Sequence, residues 1–546
     1  MTWSDLDATA APESSDGAGP DTPEGLLAAF WDYERALARN DVPALEAWFR
    51  PGPETLRSDG GATLVGAEQI ARFRRQRPPP GPRRLDRVHV RPVGPDVVTV
   101  VTVVAESTRP GGATGAQSQV WVREADGWRI TAAHVSTAPA AAPATLTAEE
   151  SDRVWRLAGP LSGGDPGTDA PAGGALRGVR LAVKDLFAVR GQAVGGGSAR
   201  WLAEAPIEPA TAPSVHALLA AGATIAGLAH TDELAFSLAG VTASYGAVPN
   251  PAVPGTASGG SSSGPAAAVA GHAADLGIGT DTAGSIRVPA SYCGLYGLRP
   301  THGVISAAGV LPLSPSFDTV GLLSRDPVLL ATSAGLLLPA PAEQPPIDVL
   351  LRPAELLAEL APEVRVAFAA AALALTGRTG CRVEAAGGLA EAVRGWLPAF
   401  RAVQAAEGWA AHGAFVTRAS GELLPEVVAR FEAGRDVDAE QLDGARAVLA
   451  DARHQLAALL PPGRALLLPA TSSPALPVDL PADQVHAARL ATLRLTCLAS
   501  LAGLPALAVP AMRVGTAPMA LSLVGGPGTD RALLDLVNRP APWELT

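Results

Sequence analysis

The sequence predicts an α/β protein: a small N-terminal α+β domain, then a large α/β domain with a sheet covered by helices. Three observations predict it. Residues 21–138 place apolar residues at helical spacing first and β-branched or alternating runs afterwards, the order of an α+β unit. Residues 150–546 alternate strand-like with helix-like segments, which argues for a sheet covered by helices. Residues 139–149 between them are rich in Pro and Ala, a composition that stiffens a linker and spaces two domains. With 546 residues, 47% hydrophobic and 17% charged, the chain is long enough for a large buried core.

The elements follow in order. Residues 1–20 are acidic and polar, and a disordered tail is expected there. Leu26, Leu27, Phe30, Tyr33 and Leu37 fall at helical spacing, Asp41 opens a second short helix through Trp48 and Phe49, and residues 66–73 read as a third. Residues 97–104 are a β-branched run. Residues 117–123 alternate, with Val120 and Val122 opposite Gln119 and Trp121, and Asp126-Gly127 marks a hairpin turn before Trp128-Arg129-Ile130. His89 and His134 are candidates to line a pocket in this domain, but nothing in the sequence places a partner beside either, so both are read as structural. In the large domain, residues 176–183 read as a strand leading to Lys184, 210–221 as a helix and 223–227 as the next strand. Residues 342–460 are rich in Ala, Leu and Arg and are expected to form a helical region that walls a substrate pocket. Gln404 and Glu407 fall on one helical face within it. Residues 465–470 and 504–510 read as buried strands, and nothing in this C-terminal part looks chemical.

Charge and cysteine usage exclude several functions. The net charge of −11 offers no basic field for nucleic acid or an anionic membrane surface, so neither partner is expected. Cys293, Cys381 and Cys497 show neither disulfide nor metal-ligand spacing, which suits a reducing cytoplasm. The N-terminus lacks the apolar core of a secretory signal, and no apolar run is long enough to span a bilayer.

The chemistry concentrates in residues 259–289. Two glycine-rich turns carry serines: Gly259-Gly260-Ser261-Ser262-Ser263-Gly264 and Gly279-Thr280-Asp281-Thr282-Ala283-Gly284-Ser285. Ser261 and Ser285 are 24 positions apart (285 − 261), joined by a small-residue segment, 265–274, that suits a buried helix. Glycine lets backbone approach a ligand closely, and successive N–H groups in such a turn converge on an anion or a developing oxyanion. A serine there is a nucleophile beside its own oxyanion hole; the same pattern also describes a loop that only turns or binds phosphate. A second observation separates the two. Lys184 is the only lysine, the other 41 basic residues (42 − 1) being arginine. Arginine does not deprotonate in proteins, whereas buried lysine can act as a base. Lys184 lies in an apolar run, 181–187, where full burial lowers a lysine pKa by up to ~3–5 units. The competing reading is a chance survivor on the surface.

Val183-Lys184-Asp185, the two glycine-rich turns, Ile286-Arg287 and Gly297-Leu298-Arg299-Pro300-Thr301 occur in this order, and over residues 150–546 the chain resembles the amidase signature family of serine amidohydrolases. The resemblance implies a large mixed sheet flanked by helices, and a Ser–cis-Ser–Lys triad with Ser285 as nucleophile, Ser261 as bridge and Lys184 as base. It also implies an oxyanion hole at the backbone of Thr282, Ala283 and Gly284. Ala283 departs from the family, where glycine is usual. Asp281 and Arg287 flank the turn, and a buried pair bracing it is expected. In relatives such as allophanate hydrolases, an arginine in the context of residues 425–431 grips a substrate carboxylate. Arg430 matches, against the alternative of an ordinary helix-surface arginine. The implied function is hydrolysis of a linear amide through an acyl-serine, on a small carboxylate-bearing or ureido substrate, with no cofactor and no metal. Two other functions fit the motifs less well: the glutaminase-type subunit of a tRNA-dependent amidotransferase, and a non-catalytic assembly protein. Residues 117–123 and 127–130 with His134-Val135-Ser136 resemble the AtzH-like branch of the SnoaL/ketosteroid-isomerase-like cone fold. For that cone, docking or homo-oligomerisation is expected rather than catalysis.

Overall fold

The computed structural model describes residues 23–59, 62–76, 84–94, 96–105, 115–137, 146–161, 174–340 and 344–539. They divide between two compact units, residues 1–143 and 144–546. The expected tail, 1–20, and residues 139–145 of the expected linker lie outside the described residues. The last part of that linker already belongs to the second unit. Thr147 forms a capping box with Glu150 and starts the helix Ala148–Val154, satisfying donors that a helix start leaves free.

In the first unit the helices Leu26–Ala38, Val42–Ala47 and Ala67–Gln76 pack with a six-stranded sheet. Asp41 caps the second helix by accepting from the Ala44 N–H at 3.1 Å. The strands are β1 (Leu56–Asp59), β2 (Ala62–Val65), β3 (Arg84–Gly94), β4 (Val97–Ala105), β5 (Gly115–Glu124) and β6 (Gly127–Thr137), in the order β2-β1-β6-β5-β4-β3. Strand alternation decides which face of β5 is inside. Gln117, Gln119 and Trp121 are buried, and Val120 and Val122 lie on the more open face. The Trp121 indole N–H donates to Gln119 Oε1 at 2.9 Å, and Tyr33 meets the Trp121 ring edge-on at 6.1 Å. His134 is exposed on β6, on the face opposite the buried Ala133 that precedes it. The His89 side chain lies outside the described residues.

The second unit is built on one 11-stranded mixed sheet. Its strands are β7 (Trp155–Leu161), β8 (Arg180–Lys184) and β9 (Thr224–Ala229). A short ribbon of β10 (Val241–Thr242) and β11 (Gly246–Ala247) intervenes outside the sheet. The rest are β12 (Leu276–Thr280), β13 (Tyr296–Arg299), β14 (Val320–Ser324), β15 (Val349–Arg352), β16 (Arg382–Ala385), β17 (Arg464–Pro469), β18 (Ala506–Val514) and β19 (Ala517–Gly525). The order is β16-β15-β17-β19-β18-β13-β14-β12-β8-β9-β7. Residues 176–179 form a turn rather than the start of β8, with Val179 N–H bonded to Leu176 O at 3.0 Å. The 342–460 region carries the expected helices, among them Pro362–Thr379, Leu389–Ala419, Pro425–Arg435 and Ala439–Leu459. It also contributes β15 and β16, which pair in parallel and extend the sheet through β17.

The sheet topology brings the two halves of the chemistry together. β8 and β12 are parallel neighbours with Val183 opposite Ile278, so Lys184 and Thr280 end their strands at the same sheet edge. Carboxyl ends of parallel strands are where open α/β sheets place ligands. The helix Ser263–Ala270 is buried over Ser263–Val269, and its small residues let it lie close under that edge.

Candidate active site

Lys184 is fully buried at the end of β8, and its Nζ donates to Ser261 Oγ at 2.9 Å and to Thr280 Oγ1 at 2.8 Å. Desolvation pushes its pKa down to about 7, against the opposing pull of Asp232, Asp281 and Asp318. The ammonium is therefore close to losing its proton at neutral pH. The neighbouring Asp185 is anchored by Arg156 at 2.6 Å, which fixes the strand end that presents Lys184.

Ser261 follows a cis peptide bond from Gly260. A Cβ at Gly260 would stand 2.2 Å from Asp232 Oδ2, so only glycine fits where the Asp232 carboxylate passes beneath the turn. That carboxylate accepts from the Gly240 N–H at 2.9 Å and from Ser263 Oγ at 3.1 Å, tying three segments to the turn. The turn of Ser285 is bonded directly to this one, because the Ser262 N–H donates to Ser285 O at 3.2 Å. No hydrogen bond joins the Ser261 and Ser285 hydroxyls among the described residues; catalytic hydrogen bonds commonly tighten only when substrate binds.

Asp281 braces the nucleophile turn. Its carboxylate accepts from the Gly284 N–H at 2.9 Å, the Ile286 N–H at 3.1 Å and Arg287 Nη2 at 2.8 Å, and from Arg299 Nη1 at 3.1 Å. All three charged side chains are fully buried. Burial alone would push the Asp281 carboxyl up. Arg287, then Arg299 and the turn's N–H groups more than offset that and hold it well below the usual carboxylate range. Of the N–H groups expected at the oxyanion hole, that of Gly284 donates to Asp281 in this structure. The N–H groups of Thr282, Ala283 and Ser285 have no protein acceptor among the described residues. Gly284 serves the shape of the turn instead: its φ is +129°, and a Cβ there would lie 3.0 Å from Thr496 Cγ2. Thr496 Oγ1 donates to Ala283 O at 2.6 Å, so both ends of the 283–284 peptide are held.

The walls come from more distant parts of the chain. Ser285 opens into a narrow cleft lined by Ala235–Leu238, Thr282, Ala283, Gln404 and Arg489. A larger cavity of about 370 Å³ lies on the other side of Thr282 and Ala235, lined by Thr280, Asp318 and residues of the 302–315 loop. Glu407 ties that loop down, accepting from Ser314 Oγ at 2.6 Å and from Ser316 N–H at 3.1 Å. Gln404 and Glu407, on one helical face, thus serve the cleft and the loop respectively. Arg430 donates from Nε to Phe236 O at 2.7 Å, against the wall segment 235–238.

The C-terminal part does reach the chemistry. On the helix Ala482–Ala502, Arg489, Thr492, Thr496 and Ser500 recur at helical spacing and form one polar stripe. Arg489 lines the cleft, Thr496 holds Ala283, and Ser500 Oγ accepts from Arg287 Nη2 at 3.0 Å. The stripe was the signal available in the sequence.

A buried amine bonded to a serine, beside a second serine in an N–H-rich turn, defines an amide-cleaving hydrolase of the serine type. The comparisons agree. Residues 166–329 match the Amidase family model and residues 19–141 the AtzH-like model. Amidase 1 of Oryza sativa subsp. japonica is 33% identical over 392 residues, 66% of this chain and 90% of that protein. A crystal structure of an amidase superposes with a TM-score of 0.61 at 30% identity, over 68% of this chain and 85% of that one. A vestigial protein complex, solved for its bearing on the origins of an s-triazine catabolic enzyme, gives 0.60 at 28% identity, over 68% and 86%. The chain belongs to the amidase family, and it carries an AtzH-like domain at its N-terminus. It is an amidohydrolase acting on linear amide C–N bonds. No helix among the described residues is long and apolar enough to cross a membrane.

Proposed function

We propose that Ser285 is the nucleophile, Ser261 the proton bridge and Lys184 the base of this amidohydrolase. The observation that carries the reading is the fully buried Lys184 amine, 2.9 Å from Ser261 Oγ and with its pKa down to about 7. The Ser285 hydroxyl attacks the amide carbonyl, and its proton passes by way of Ser261 to neutral Lys184. The N–H groups of Thr282, Ala283 and Ser285 meet the oxyanion. The C–N bond breaks as Lys184 returns the proton to the leaving nitrogen. Water then cleaves the acyl-serine to a carboxylate and the free hydroxyl.

The substrate is a small amide or ureido compound, and Arg430 is oriented by Phe236 towards a carboxylate on it. The cone domain serves homo-oligomerisation or docking. Three free, buried cysteines support a cytoplasmic location. The test is labelling by a fluorophosphonate probe: the full chain is labelled and the Ser285→Ala variant is not. Undiminished labelling of that variant would move the nucleophile elsewhere.

A further inference from the structure

Three carboxylates act on Lys184, and two of them belong to the serine turns: Asp281 pairs with Arg287 and Arg299, and Asp232 lies under the turn of Ser261. The third, Asp318, comes from the neighbouring strand. β12 and β14 pair antiparallel with Thr280 opposite Val320, and the Asp281 N–H continues the ladder to Thr319 O at 2.8 Å. One step further on, Thr282 Oγ1 donates to Asp318 Oδ1 at 2.6 Å. The other carboxylate oxygen accepts from the Leu313 and Ser314 N–H groups at 2.8 and 2.9 Å. Those two residues belong to the segment that walls the larger cavity. Glu407 and His412 hold that segment from the helix Leu389–Ala419, through Ser314, Ser316 and Pro312 O. One carboxylate therefore ties Thr282 to a segment that is fixed from outside the turn. Three donors shared between two oxygens suit an ionised carboxylate. Burial pushes the Asp318 carboxyl up, while Thr282, the two N–H groups and Lys184 pull it back; Arg299 and His412 also feel its charge.

We propose that Asp318 is a positioning residue for amide cleavage, seating the Thr282 end of the oxyanion turn by its hydrogen bond and favouring the Lys184 ammonium by its charge. The proposal rests on the reading of Lys184 as base and of the Thr282 N–H as an oxyanion donor. Holding the Thr282 hydroxyl leaves its main chain one orientation, so the N–H is aimed before substrate arrives. The charge matters for a different reason. An amine stripped of water, with no negative neighbour, would be too weak a base to take a serine proton. Asp318 opposes that loss from the side of the cavity, where Thr280, the hydroxyl partner of Lys184, also stands.

Two substitutions separate the hydrogen bond from the charge. The readout is the rate at which a fluorophosphonate probe labels Ser285 in the full-length chain, followed from acid to alkaline pH. Thr282→Val keeps the shape and removes the donor. Its limiting rate should fall about tenfold, part of the roughly 10²–10³ that a whole oxyanion donor contributes, with the half-saturating probe concentration and the acid limb in place. Thr282→Ser restores the hydroxyl and should recover most of that loss. Asp318→Asn offers a carbonyl to the two N–H groups and an amide to Thr282 Oγ1, so it chiefly removes charge. Its acid limb should move to lower pH by about half a unit to one unit. A merely structural role would slow labelling without moving the limb. An unmoved limb in Asp318→Asn, full-rate labelling of Thr282→Val, or a loss there through the half-saturating concentration alone would each overturn the proposal. If Asp318→Asn does not fold, the Thr282 pair decides. Labelling of Ser285→Ala, or a parent chain with no acid limb, would instead bring down the nucleophile or the base, and this proposal with it.

Discussion

Two clusters of arginine, one fully buried and one half-buried, flank the Ser285 turn, and they are built on opposite principles. Behind the turn, Arg287 and Arg299 converge on Asp281, and main-chain N–H groups complete the carboxylate's shell. In front of it, Arg489 Nε and Arg430 Nη2 have no hydrogen-bond partner among the described residues. The difference teaches what makes a brace: a buried charge whose partners all come from the chain fixes geometry, and a donor without a protein acceptor does not.

The largest effect expected is on catalysis. Lys184→Ala should lower kcat/KM for a simple amide by about 10²–10⁴-fold, the usual contribution of a positioned acid–base group, while far-UV circular dichroism stays unchanged. Retention of appreciable turnover would remove Lys184 from the mechanism. Next comes the brace. Asp281→Ala leaves two buried guanidinium groups without their carboxylate and should cost about 3–5 kcal/mol in urea unfolding. A cost below about 1 kcal/mol would mean that the cluster is not bracing the fold, and the contrast with the front cluster would collapse.

A pH profile sharpens the comparison. Lys184 must be neutral to accept a proton, and its pKa stands at about 7. kcat/KM should therefore fall about tenfold per unit as pH drops below 7 and level off above it. The Thr280 hydroxyl accepts from Lys184 at 2.8 Å and favours the ammonium. Thr280→Val should accordingly move the limb to lower pH; a move to higher pH contradicts the assignment. The smallest effect belongs to the cone. His134→Ala, at an exposed strand position, should change unfolding free energy by less than about 0.5 kcal/mol and leave amide turnover unaltered. A clear loss of turnover would bring the cone into the chemistry.

What the sequence made legible was local. Glycine-rich turns and a single lysine in an apolar run are signals that survive without knowing what lies opposite, and Lys184, Ser261 and Ser285 could be picked out from them. Strand–helix alternation likewise pointed to a sheet covered by helices, and the family resemblance to its being mixed. What escaped depends on partners far along the chain. The polar stripe on Ala482–Ala502 acquires meaning only from Ala283 and Arg287, more than 200 positions away (496 − 283 = 213). The engagement of the Gly284 N–H depends on where one carboxylate points, and a turn motif does not encode that. β15 and β16 are four residues each, too short to show a period of two beside long helical patterns.

One rod spans both arginine clusters. The helix Ala482–Ala502 presents Arg489 to the cleft and, seven positions on (496 − 489), Thr496 to the Ala283 carbonyl. Seven residues are nearly two full turns, so both side chains leave the rod on the same side. A wall of the cleft and the setting of the reactive turn are therefore read off a single ruler. Inserting one residue between those marks would rotate one by about 100° against the other.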